Sequence, residues 1–272
     1  PIFASGSAIK RDIFDFFIAE LKKTASRESG IIFLKVEMDR EWGEIDPVVV
    51  GFRKSTKDIQ ARETMIMDLT QPEDDILREM KQKTRYNIKI AQKHSVKIIG
   101  VNAVKTDPQF FISMVHEMAV RNGFRPHSKK YFSDMMNLFL GKSITPELPE
   151  FAQKLYFAYY QEEVVAAALV GFFGGRATYL HGASATRHRN VMAPYLLHWE
   201  IMREVKKLGF NEYDFWGIVT QRTDKKQVKK WIGFSRFKEG FSGRVLEYPG
   251  AYDLVFNKLW YNGYKIARRM NI

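Results

Sequence analysis

The chain has 272 residues, 45% of them hydrophobic and 14% aromatic, with a formal net charge of +12 at pH 7 and no cysteine. That length and apolar share allow one large domain or two smaller ones, and the missing cysteines exclude disulfides, thiolate metal sites and cysteine nucleophiles. The excess of Lys and Arg favours polyanionic partners: nucleic acid, a phosphorylated substrate or an anionic membrane surface. In chain order, Ile9 to Lys22 carries Ile13, Phe14, Phe17, Ile18 and Leu21 at helical period, and Gly30 ends the pattern. Ile31 to Val36 and Val48 to Phe52 read as strands, as does the alternating run Thr64 to Leu69.

Thr70-Gln71-Pro72-Glu73 is a helix start, with Thr70 as N-cap and Glu73 completing a capping box. The spacing predicts one long helix from Pro72 to His94, with Ile76, Met80, Thr84, Ile88 and Ala91 on one face. Its other face carries Arg78, Lys81, Lys83, Arg85, Lys89 and Lys93. Lys81, Arg85, Lys89 and Lys93 form an i,i+4 ladder of like charge that calls for compensation. Lys81, Arg85 and Lys89 are therefore candidate polyanion contacts, against the plainer reading of a solvated face.

Val96 to Val101 returns to strand, and Asn102 to Asp107 reads as a boundary. Helices follow over Phe110 to Val120 and Ser128 to Leu140, then a loop over Ser143 to Pro149. Strands cover Phe151 to Tyr160, Val164 to Phe173 and Arg176 to His181, joined by tight turns at Gln161-Glu162-Glu163 and Gly174-Gly175. A basic loop, Arg187-His188-Arg189-Asn190, leads into a helix marked by Leu196, Leu197, Ile201, Val205 and Leu208 and stopped by Gly209. Asn211 to Trp216 is the next strand. A strand, loop, helix and parallel strand place that loop at the carboxyl edge of a sheet, where open α/β sheets bind ligands. Gln221 to Lys230 is a basic connection, Trp231 to Phe241 is aromatic and glycine-rich, Val245 to Tyr248 is a strand, and Tyr252 to Met270 is a basic helix.

Antiparallel strands followed by loop, helix and parallel strand resemble the core of the GNAT acyltransferase fold. The GNAT loop cradles coenzyme A pyrophosphate on backbone N–H groups, with glycines for close approach. In the corresponding span here, Arg189-Asn190-Val191-Met192-Ala193-Pro194, Met192 and Pro194 replace the glycines. Met192 crowds a phosphate and Pro194 has no N–H, so a cofactor-free relative of that fold is expected. The element order repeats weakly. The expected fold class is α/β (α+β) with two GNAT-like domains, 1–102 and 103–243. The strand and helix of 244–272 return to the first.

Five motifs resemble the Fem family of peptidoglycan-bridge aminoacyltransferases, in its compact form without a coiled-coil arm. They are Thr84-Arg85-Tyr86-Asn87-Ile88-Lys89; Arg121-Asn122-Gly123-Phe124 with Tyr131; Gly182-Ala183-Ser184 with Met192-Ala193-Pro194-Tyr195; Tyr213-Asp214-Phe215-Trp216-Gly217-Ile218; and Gly233-Phe234-Ser235-Arg236-Phe237-Lys238-Glu239-Gly240-Phe241. Members carry further strands before the segment matching Pro1, so the chain is expected to begin inside the first domain. The resemblance implies transfer of an amino acid from aminoacyl-tRNA to a stem peptide amine of a lipid-linked or UDP-linked peptidoglycan precursor. A monomer that uses no cofactor is expected, and the six histidines, His94, His116, His127, His181, His188 and His198, show no metal-ligand spacing, so no metal is expected.

In that setting Lys238, between Phe237 and Phe241, is the candidate catalytic cation. Arg189 is a candidate for precursor phosphates. Tyr131, Tyr179 and Tyr195 are candidate stacking or hydrogen-bonding contacts. Arg121 either meets substrate or caps its own helix. Asp214 either orients Lys238 or the acceptor amine, or is a satisfied buried aspartate. Two other readings stand beside this one: a small-molecule N-acyltransferase using acyl-coenzyme A, and a non-enzymatic tRNA- or membrane-surface-binding protein. No unbroken apolar run approaches the roughly 18 residues that span a bilayer. Lys10, Arg11, Asp12 and Asp15 interrupt the amino-terminal stretch as a secretion signal. A cytoplasmic protein is expected, at the inner face of the membrane.

Overall fold

The structure, a computed structural model, describes residues 11–38, 46–101, 108–139, 142–147, 151–219 and 233–270. The boundary expected at Asn102 to Asp107 and the connection Gln221 to Lys230 lie outside them. The chain forms two compact units, Pro1–Glu63 with Glu247–Ile272, and Thr64–Leu246. The boundary expected at 102/103 thus falls inside the second unit.

In the first unit, α1 (Arg11–Arg27) packs with β1 (Phe33–Glu37), β2 (Phe52–Lys54), β10 (Ala251–Val255) and α8 (Lys258–Arg269). The sheet order is β1-β10-β2, antiparallel throughout. Phe14, Ile18, Phe52 and Leu254 form its core. Two expectations change here. Val48 to Phe52 is mostly a turn, because the Asp46 carboxylate accepts the Val48 N–H at 2.8 Å and Phe52 N–H returns to Pro47 O at 2.9 Å. Tyr252 to Val255 is strand and not helix, since Tyr252 pairs with Val36 and with Lys54.

The second unit holds a seven-stranded sheet. Its strands are β3 (Glu63–Asp68), β4 (Lys97–Val101), β5 (Ala152–Tyr160), β6 (Glu163–Phe173), β7 (Arg176–Ser184), β8 (Glu212–Gly217) and β9 (Arg244–Glu247). They lie in the order β4-β5-β6-β7-β8-β3-β9. β4 to β7 run antiparallel, β7 and β8 are parallel, and β3 is antiparallel to β8. The β5–β6 and β6–β7 turns have positive φ at Gln161 and Glu162, and at Gly174 and Gly175. Two successive positive φ values match the right-handed twist of the flanking strands.

Period two divides the core. Leu155, Phe157, Ala167 and Leu169 face α4 (Pro108–Asn122) and α5 (Lys129–Phe139), through Phe111, Val115 and Phe132. Tyr156, Ala158, Ala168 and Val170 join Leu197, Ile201, Val205 and Phe215 on the other face. There α6 (Ala193–Lys207) packs on β5 and β6.

The long helix expected over Pro72 to His94 is two, α2 (Glu73–Glu79) and α3 (Gln82–Lys93). Met80 and Lys81 between them are extended, with ψ of 147° and 142°. The break has a partner: Lys81 N–H donates to Gly240 O at 2.9 Å. Pro72, and not Thr70, is the N-cap of α2, because Thr70 gives both its N–H and its hydroxyl to Asp68. Residues 233–239, for which no element is predicted, form a short helix, α7. No described helix is long and apolar enough to cross a membrane.

Candidate functional site

β7 and β8 pair only over Arg176–Thr178 and Glu212–Asp214, and beyond that the two parallel strands run on unpaired with each other. The carboxyl end of β8 meets α7, which delivers Lys238 beside Tyr179, just past the last pair of β7 with β8. Its Nζ donates to Gly217 O at 2.7 Å and lies 5.8 Å from the centre of the Tyr179 ring. Lys238 is only 9% exposed. Burial lowers its pKa to about 8, and the opposite charge of Asp214 acts the other way. Ser235 anchors α7 by accepting Val219 N–H at 2.9 Å.

Gly240 closes α7 against α3: a Cβ there meets Thr84 Oγ1 at 2.3 Å and Phe237 O at 3.0 Å. Gly240→Ala is therefore expected to destabilise the fold by about 1–3 kcal/mol, as overpacking does. Thermal unfolding measures this, and an unchanged midpoint contradicts the close approach.

Asp214 is buried on β8. Its Oδ1 accepts the Thr64 hydroxyl and the Trp216 N–H, the latter at 2.7 Å, and Arg176 lies 3.8 Å from Oδ2. Burial raises its pKa, while the hydrogen bonds from Thr64 and Trp216 and the charges of Arg176 and Lys238 oppose that shift. Trp216 sits at φ 61°, left-handed backbone that costs a non-glycine residue of order 1–3 kcal/mol. That conformation lets its N–H turn back to the Asp214 carboxylate.

His198, on the inner face of α6, is buried. Its Nδ1 is 2.8 Å from Tyr213 Oη, and its ring centre is 4.5 Å from Tyr179 and 5.5 Å from Phe237. Burial, reinforced by the charge of Lys238, depresses its pKa to about 3, so it is a neutral imidazole near pH 7. Burial also pushes the Tyr179 phenol up to about 12. Gly182 is the second close approach of the site, since a Cβ there meets Tyr179 Oη at 1.9 Å. Tyr195 packs edge-on to Phe237 at 4.9 Å.

At the start of α6, Met192 is the N-cap at φ 55°, Pro194 has no N–H, and Tyr195 N–H donates to Met192 O at 3.0 Å. The helix end is thus left with few amides for a pyrophosphate. In the loop before it, Arg187 and His188 turn to Glu163 at 2.9 and 3.5 Å. Arg189 is exposed and forms no ion pair with a described residue.

The other predicted residues lie elsewhere in this unit. Arg121 fastens the end of α4 to the end of β7, donating to Ser184 O at 2.9 Å and Thr186 Oγ1 at 3.0 Å. Tyr131 stacks on His127 at 4.2 Å, with its hydroxyl 3.3 Å from His181 Nε2. Lys81 at the N-cap of α3 and Lys89 on it are exposed, but Arg85 turns inward and donates to Arg78 O at 2.9 Å and to Met80 O. Arg85 thus satisfies the last carbonyls of α2.

The structure therefore gathers Lys238, Asp214, Tyr179 and Tyr195 about one strand opening, and leaves Arg121, Tyr131, Lys81 and Lys89 outside that cluster. Sequence reasoning gave no role to Thr64, Arg176, His198 or Trp216 here. A histidine among Leu197, Ile201 and Val205 on a core-facing stripe is the signal that marks His198. Among the described residues, no group of three or more His, Asp or Glu is arranged to hold a metal ion.

The FemAB family model matches residues 49–148 and 142–269. Aminoacyltransferase FemA of Staphylococcus epidermidis is 25% identical over 146 residues, 54% of this chain and 34% of that protein. The lipid II:glycine glycyltransferase of Staphylococcus epidermidis is 22% identical over 267 residues, 78% of this chain and 63% of that protein. The chain thus spans about a third of FemA and under two thirds of the glycyltransferase. The crystal structure of FemX shares the fold, with a TM-score of 0.76 and 16% identity over 92% of this chain and 78% of that one.

Proposed function

Since the chain belongs to the FemAB family, we propose that it moves an amino acid from aminoacyl-tRNA to the stem peptide amine of a peptidoglycan precursor. The observation that carries the reading is Lys238, a buried cation at the carboxyl end of β8, beside the point where the parallel strands β7 and β8 part. In the reaction the amine nitrogen attacks the ester carbonyl, and the tetrahedral oxyanion collapses. The tRNA 3′ oxygen leaves with the proton the amine gives up. One N–H of Lys238 is held by Gly217 O, which leaves the rest of the ammonium for the oxyanion. A donor fixed in a dry site stabilises developing charge far better than one in water. Positioning of the two bound substrates supplies much of the remaining rate.

The names of the similar proteins, an aminoacyltransferase and a lipid II:glycine glycyltransferase, support both the reaction and the precursor. The donor distinguishes the readings. Label from charged tRNA is expected to reach the precursor, and acetyl-coenzyme A is expected neither to donate nor to compete. Transfer from acyl-coenzyme A alone overturns the proposal in favour of a small-molecule N-acyltransferase.

Exposed Lys81, at the N-cap of α3, and Lys89 and Lys93 on it supply the phosphate contacts of the tRNA in this reading, and Arg189 those of the precursor. Replacing Lys89 and Lys93 by alanine is expected to weaken tRNA binding uniformly across tRNA sequences. It should also lower the log K against log salt slope by about 1 per lysine. An unchanged slope removes α3 from the tRNA contact.

A further inference from the structure

Helix α8 closes the first unit with the sequence Lys-Leu-Trp-Tyr-Asn-Gly-Tyr-Lys-Ile-Ala-Arg-Arg, which contains no acid. Its inner face is fixed. Tyr261 is buried, its hydroxyl donates to Asp253 at 2.7 Å, and the Tyr261 and Tyr264 rings lie 5.3 and 4.8 Å from Phe33. At about 3.6 residues per turn, Leu259, Ile266 and the following Met270 line up on the side opposite Tyr261. A water-facing helix side should be polar, yet these three are 80%, 58% and 64% exposed, and Trp260 beside them is 64% exposed. Lys258, exposed at the helix start, and Lys265, over the Tyr261 ring at 5.1 Å, flank one edge of the stripe, while Arg268 falls on the Tyr261 side, over the Tyr264 ring at 6.0 Å.

We propose that the outer face of α8 docks the protein on an anionic lipid surface. Leu259, Ile266 and Met270 enter the acyl boundary, Trp260 sits at the headgroup level, and Lys258 and Lys265 meet lipid phosphates. An apolar stripe alone does not choose between a membrane and a protein partner. A stripe edged by cations on a helix without an acid, in a chain of net charge +12, has the charge pattern an anionic interface recognises. The docking needs no assumption about the transfer reaction.

The experiment is sedimentation of the whole chain with large vesicles, either equimolar phosphatidylglycerol and phosphatidylcholine or phosphatidylcholine alone. The chain is expected to partition onto the phosphatidylglycerol vesicles, weakly onto the neutral ones, and less at high salt. Leu259→Ser with Ile266→Ser is expected to lower the partition coefficient by about ten-fold for each side chain removed. Lys258→Glu should weaken binding to the anionic vesicles only. All three substitutions fall on exposed positions, so an unchanged circular dichroism melt checks that the fold is intact. No partition onto anionic vesicles overturns the proposal, as does partition that the double variant leaves unchanged. A dimer in solution that the same double variant dissolves, without vesicle binding, assigns the stripe to a second copy and also overturns it.

Discussion

Lys238→Met is expected to lower the rate of aminoacyl transfer by about 10²–10³-fold, the usual cost of removing one preorganised donor to an oxyanion, while tRNA binding stays within about two-fold. Methionine keeps much of the side chain's length and removes the charge. Burial already disfavours that charge and holds its pKa at about 8 against the ordinary 10.5, so the fold does not depend on it. The sign follows from proton binding. Between pH 8 and 10.5 the unfolded chain holds the proton that the folded chain has lost. Lys238 therefore makes stability rise with pH across that window and stay flat below it. The methionine variant should lack this rise and be as stable as the parent, or more so, at pH 7.

The rate should show the same group with the opposite slope. It climbs with pH as the acceptor amine deprotonates, then breaks near pH 8 as Lys238 loses its charge. A variant that unfolds and loses activity together contradicts this role. So does a parent profile with no break near pH 8.

The second large effect falls on Asp214. Asp214→Ala is expected to cost about 3–5 kcal/mol, because it leaves charged partners and a strained amide without their acceptor. Trp216 N–H, the Thr64 hydroxyl and Arg176 all converge on this carboxylate. Denaturant unfolding measures it, and a change below about 1 kcal/mol contradicts the network. Asp214→Asn separates the electrostatic role from the structural one, since the amide oxygen still accepts from Trp216 and Thr64. The Asp214 charge holds the Lys238 pKa up. Its removal should shift the alkaline break of the pH–rate profile below pH 8, and a break that does not move uncouples Asp214 from Lys238.

The parts legible in the sequence are those set by local pattern. Apolar residues on both faces of Phe151 to Phe173 gave the β5–β6 pair, and the step from basic loop to periodic leucines gave α6. The turns gave the β5–β7 meander, whereas the candidacy of Lys238 came from the resemblance to the Fem family's Phe-Lys element. The parts that were not legible depend on partners distant in sequence. The pattern over Pro72 to His94 is helical throughout. Only the acceptor Gly240 O, far along the chain, breaks it at Lys81.

Arg85 reads as one rung of a charge ladder, yet the same break exposes the carbonyls of Arg78 and Met80 that turn it inward. Trp216 takes left-handed backbone because Asp214 receives its N–H, which no propensity of tryptophan foretells. His198 is neutral because of what surrounds it, chiefly burial and then Lys238. The boundary drawn at Asn102 failed to mark a compact unit because β4 pairs with β5 across it.

The most direct measurement offers the chain a pool of charged tRNAs with the lipid-linked and the nucleotide-linked precursor in turn, and weighs the stem peptide. A mass gain of one amino acid residue is expected, placed by fragmentation on the stem peptide amine and lost in Lys238→Met. No gain with any pairing of donor and acceptor, from a chain that still binds tRNA, contradicts it and leaves a binding protein in place of a transferase.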